Sequence, residues 1–144
     1  MKSNFFRWSL ITFLMLSSPL IYTELQAYIT IHAAFPVYAA LSARSFAARS
    51  TIFIGSGAIC AILTAAVVAL PTAYLAREKS KPVCIVLALL TQAIPVFSFF
   101  QQPTIKSFTA VVFAGELIAY LVSVSIFEHI GSRLVRLRQH DSNV

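Results

Sequence analysis

An all-α integral membrane protein with four transmembrane helices is the fold class this sequence predicts, on three observations. Hydrophobic residues make up 58% of the 144 residues and charged residues only 11%, and the mean hydropathy is +0.81; an ordinary soluble domain is far more charged. Residues 51–76 and 83–100 each contain no charged side chain. Runs of roughly 18 or more apolar residues, rising ~1.5 Å each, suffice to cross a ~30 Å hydrocarbon layer. Finally, the basic residues sit beside the ends of the apolar runs. The net charge of +6 is therefore topological, and no basic patch interleaved with aromatics points to nucleic acid.

The first span begins at Trp8, after Lys2 and Arg7, with an indole suited to the headgroup boundary. From Trp8 to Ala43 the only ionisable side chains besides tyrosine are Glu24 and His32. These 36 residues are too many for one span and barely enough for two, and the charge distribution decides between them. With one span, Lys2, Arg7, Arg77, Lys79, Lys81, Arg133, Arg136 and Arg138 fall on one side, eight against Arg44, Arg49 and Lys106 on the other. With two spans the division is five against six, no bias at all. The positive-inside rule selects the first solution, with spans near 8–31, 50–76, 83–101 and 108–130, a basic tail over 131–144 and both termini in the cytoplasm. Residues 1–27 also resemble a secretory signal, with a basic start, an apolar centre, Pro19 and a candidate cleavage site after Ala27. Cleavage there leaves three spans in the same orientation.

Residues 28–49 form an external connection that is apolar for a loop. Pro36 is suited to starting a helix, and the residues after it separate imperfectly into apolar and polar sides. A short helix lying on the outer membrane surface is one expectation; a long, tilted first helix is the other.

In the second span Gly57, Ala61, Ala65 and Ala69 recur every four residues and form a face with almost no bulk. In lipid, close backbone approach along small residues supplies packing energy that hydrophobicity cannot. Ser50 and Thr51 are candidate caps. Pro71 predicts a bend or a loosened last turn. The third span follows Arg77–Pro82, a short polar break, and is interrupted by Thr91, Gln92 and Pro95, the proline freeing a carbonyl about one turn earlier. A polar turn, 101–107, contains Pro103 and leads to the fourth span. Here Gly115, Ala119 and Ser123 repeat the small-residue pattern, Glu116 projects near the same face, and Gly131 is expected to end the helix.

Candidate chemistry is sparse. Glu24 and Glu116 are acids within the spans, no Lys or Arg lies inside a span to pair with them, and both fall in the outer half, as does Gln92. A carboxylate in hydrocarbon costs at least a few kcal/mol and is expected to face a partner, a cavity or water, so Glu24, Gln92 and Glu116 form the candidate intramembrane polar cluster. His32 is expected at the external surface, and Glu128 with His129 at the cytoplasmic boundary. Cys60 and Cys84 belong to opposite halves of their helices, which disfavours a disulfide, and no Cys/His grouping has metal-ligand spacing. GxSxG, HExxH, P-loop and dinucleotide-binding patterns are all absent; Gly55-Ser56-Gly57 sits inside an apolar run, where helix packing accounts for it. The expectation is a multi-pass protein of a bacterial inner membrane, without catalytic residues, cofactor or metal. Its partners are the lipid bilayer and other membrane proteins or further copies of itself. It would act as a helix-packing accessory or interaction subunit. The alternative is a small proton- or cation-linked transporter or channel using Glu116 and Glu24.

Overall fold

A computed structural model describes residues 2–41, 45–102 and 106–141. Ser42 and Arg44 of the first connection, Pro103 of the second and residues 142–144 of the tail lie outside the described residues. Among those described, every regular element is helical: α1 (Lys2–Ile29), α2 (Phe35–Ala40), α3 (Phe46–Thr64), α4 (Leu70–Ala76), α5 (Ser80–Phe100) and α6 (Ser107–Asp141). Three helical runs, Asn4–Ala40, Phe46–Phe100 and Ser107–Arg138, are long and apolar enough to cross a membrane.

The middle run is folded in two. At Arg77 the backbone turns to φ 55°, ψ −117°, a region that glycine enters freely and other residues enter at a cost of about 1–3 kcal/mol. A 3-10 turn, Arg77–Lys79, follows, and α5 returns along α4, bringing Cys84 Sγ to 3.9 Å from the Ala69 carbonyl. The result is four rods, α1–α2, α3–α4, α5 and α6, that alternate in direction.

Prolines shape two of the rods. The widened turns Thr30–Ala34 and Ala65–Ala69 each end two residues before a proline, Pro36 and Pro71. Proline offers no N–H to the carbonyl four residues back, and its ring crowds that carbonyl. Opening the turn by one residue relieves both problems without ending the helix. Phe35, just before Pro36, keeps helical angles (φ −65°, ψ −46°). Of the two expectations for the residues after Pro36, the long first helix is the one found: no separate surface helix forms, and the first rod runs on to Ala40.

The tail departs from expectation. Gly131 does not end α6, which continues to Asp141. Its φ is negative, and it marks a close approach instead: a Cβ there would lie 2.8 Å from Ala73 Cβ and 3.0 Å from the Leu70 carbonyl. Beyond it, Arg138 Nη1 donates to the Tyr74 hydroxyl.

The core lies along the inner face of α3–α4, where Cys60, Ala61, Ala65, Val68, Ala69 and Ala73 are wholly buried. A four-residue spacing drifts by ~40° per step around an α-helix. The widened turn at Ala65–Ala69 rotates each residue less, which keeps Ala65 and Ala69 on the buried side with Gly57 and Ala61.

Candidate functional site

The rods α1 and α6 stand diagonally across the bundle, each packed along α3–α4 and α5. Two side-chain contacts span that diagonal, a hydrogen bond and an aromatic pair. Glu116 on α6 reaches over α3, and its Oε2 accepts a hydrogen bond from Gln26 Nε2 on α1 at 2.7 Å. Gly57 supplies the passage. A Cβ there would collide with Glu116 Cγ and sit 2.8 Å from Oε1.

One turn further along both helices, Tyr22 and Tyr120 meet edge to face, with ring centroids 5.1 Å apart and planes at 73°. Such pairs add about 0.5–1.5 kcal/mol beyond burial, and these rings are 1% and 0% exposed. Cys60 Sγ approaches the Tyr22 carbonyl at 3.6 Å and Thr64 Oγ1 at 3.9 Å. Another turn on, Thr91 Oγ1 lies 2.7 Å from Ser18 Oγ and 2.8 Å from the Leu87 carbonyl. Ser18 Oγ in turn donates to the Met15 carbonyl at 2.8 Å. A column of polar side chains thus runs between the helices, capped at one end by the Glu116 carboxyl. Within it Gln92 is 5% exposed, and Gln92 Nε2 and the Tyr120 hydroxyl have no hydrogen-bond partner among the described residues.

Of the expected polar cluster, Glu116 and Gln92 lie in this column. Glu24 does not. It is exposed, because Tyr22 and Gln26 face inward and a residue two positions from each lies ~200° around the helix. Gln26 occupies the role assigned to Glu24. Ser18, Tyr22 and Gln26, four residues apart, form one polar stripe in the sequence, on the side of α1 away from Glu24. Among the boundary residues, His32 is exposed beside Tyr28, with ring centroids 4.4 Å apart, and Glu128 accepts from Ser80 Oγ at 2.6 Å.

The small-residue faces are filled from within the chain. Gly57, Ala61, Ala65 and Ala69 are buried. Gly115 lies against Ile54, whose Cγ1 would be 2.8 Å from an added Cβ. Ala119 packs against the core, and Ser123 is buried with its hydroxyl on the Ala119 carbonyl at 2.7 Å. Cys60 and Cys84 are buried free thiols. No group of three or more His, Cys, Asp or Glu side chains that could hold a metal ion exists among the described residues.

Fold and site together define a protein that is all-helical among the described residues, with helical runs long and apolar enough to cross a membrane and a half-buried carboxyl hydrogen-bonded between two of them. Comparison with protein-family models, with curated proteins and with solved structures found no match.

Proposed function

We propose that the four rods cross the inner membrane of a bacterium, with both termini cytoplasmic, and that the protein acts there as an interaction subunit. The charge distribution supports the orientation. Arg7 bonds the Leu75 carbonyl and Arg138 bonds Tyr74, which places both at the end of the bundle formed by the Arg77–Lys79 turn. Arg49 stands at the other end, its guanidinium 5.5 Å from the Phe108 ring centre.

The observation that carries the interaction reading is a lateral groove. Between α5 and α6 the rods leave about 420 Å³ unfilled, lined by Cys84, Ile85, Ala88, Leu121 and Val124, with Lys81 and Glu128 at one end. A partner helix entering there would gain packing contacts that lipid tails fill less well. Photo-crosslinking from position 121 in native membranes tests this. The expected result is one membrane-protein adduct that disappears when Ala88→Trp fills the groove. Adducts with lipid alone, or a protein adduct indifferent to that substitution, would reject the reading.

The Glu116–Gln26 contact favours a second reading, a proton- or cation-linked transporter, because a half-buried carboxyl with a neutral partner can take up and release a cation. In that reading Glu116→Gln abolishes ion-driven flux in proteoliposomes. Unchanged flux would exclude it. Since Glu24 is exposed, Glu24→Gln is expected to have no effect on that flux.

A further inference from the structure

Where the start of α1 meets the turn between α4 and α5, a polar cleft of about 320 Å³ is lined by Asn4, Arg7, Trp8, Arg77, Glu78 and Lys79. Three cations against one acid leave it with two positive charges. Arg7 is fixed in place: Nε and Nη2 donate to the Leu75 carbonyl at 3.2 and 2.6 Å, and Nη1 donates to Asn4 Oδ1 at 3.3 Å. Lys79 Nζ stands over the Trp8 ring, 5.9 Å from its centre. Trp8 itself is 42% exposed, as an indole at the boundary between headgroups and acyl chains is.

Arg77 provides an independent observation. It is the one non-glycine residue with positive φ among those described, in a turn conformation that glycine adopts without strain. Glycine would take up the same turn without strain, so the turn by itself does not call for an arginine. Backbone strain retained at a charged residue in a basic cleft points to a use for the side chain.

We propose that this cleft binds the phosphate of an anionic phospholipid. Arg77 and Lys79 contact the phosphate oxygens, Arg7 supplies fixed positive charge behind them, and Trp8 packs against the glycerol region. Basic pockets between helices at a membrane surface recognise acidic headgroups in this way. The site rests on the membrane-spanning reading and goes beyond it, because it assigns a particular lipid class to particular residues.

The test is thermal unfolding of the full chain in mild detergent with added phosphatidylglycerol, phosphatidylcholine or inorganic phosphate. Phosphatidylglycerol is expected to raise the midpoint by several degrees. Phosphatidylcholine and millimolar phosphate are expected to leave it unchanged. Arg77→Gly removes the side chain while relieving the turn, so it is expected to keep the lipid-free midpoint and lose most of the shift; Lys79→Gln is expected to lose part of it. An undiminished shift in both variants, or an equal shift with phosphatidylcholine, would overturn the site. An equal shift with inorganic phosphate would overturn the lipid as its ligand. A protein that is soluble and compact without detergent would instead remove the membrane reading, an outcome distinct from a detergent-dependent protein indifferent to phosphatidylglycerol.

Discussion

Glu116 and Gly57 act as a pair. The carboxyl crosses the bundle only because position 57 has no side chain, and it is satisfied there only because Gln26 donates an amide hydrogen. Gly57→Ala is expected to destabilise the fold by about 1–3 kcal/mol, since a methyl group would displace the Glu116 stem in a close-packed site. Gln26→Leu is expected to cost about 1 kcal/mol by leaving a half-buried acceptor without its donor. Thermal unfolding in detergent measures both. Combining Gly57→Ala with Glu116→Ala is expected to cost less than the two single changes added together, because the collision is then gone. Full additivity would show that the two side chains do not interact. Glu116 was legible as a candidate from an acid in an apolar run. Its partner was not, because α1 carries polar residues on more than one side, Glu24 as well as the stripe of Ser18, Tyr22 and Gln26, and choosing between them requires the rotation of α1.

At the scale of elements, the rods continue where single residues would ordinarily stop them. Pro19 and Pro95 lie inside α1 and α5, widened turns precede Pro36 and Pro71, and Gly131 lies inside α6. Pro71 announced a disturbed turn, and the widened turn is there. Pro36 left a continued first rod and a separate helix both open, and Gly131 misled as a boundary; the helix continues through each because neighbouring rods pack against it and outweigh local preference. The turn at Arg77 is the real boundary. It ends α4 with Arg7 donating twice to the Leu75 carbonyl, a cation on a helix C-terminus. Arg7→Ala is expected to lower stability by about 1 kcal/mol, less at high salt if the dipole term dominates. Arg77→Gly is expected to remain within about 1 kcal/mol of the original protein. Relief of ~1–3 kcal/mol of strain is offset by the greater chain entropy of glycine when unfolded. Chemical denaturation in mixed micelles at two salt concentrations checks both values.

For the whole molecule, the proposed topology makes a sharp prediction. Single cysteines introduced at Lys79 and Arg136, in a background with Cys60 and Cys84 replaced by Ala, are expected to react with an impermeant maleimide only after the cytoplasmic face is opened. One at Lys106 is expected to react in intact cells. Labelling of position 79 from outside would invert the arrangement; labelling of positions 79 and 136 from opposite sides would exclude an even number of spans between them.

Composition and charge placement alone determined that this chain is helical, that its helical runs are long and apolar enough to cross a membrane, and that its basic residues gather beside the ends of those runs. Those properties depend on the solvent each residue prefers, and solvent preference is written in the residue itself. Only the tertiary structure decided which side of each rod faces inward, that Gln26 rather than Glu24 meets Glu116, and that the small-residue faces are filled from within the chain. The reason is physical. In a rod apolar on all sides, transfer energy does not distinguish one face from another, and the choice falls to the shapes of neighbouring helices and to the few hydrogen bonds that must be satisfied between them.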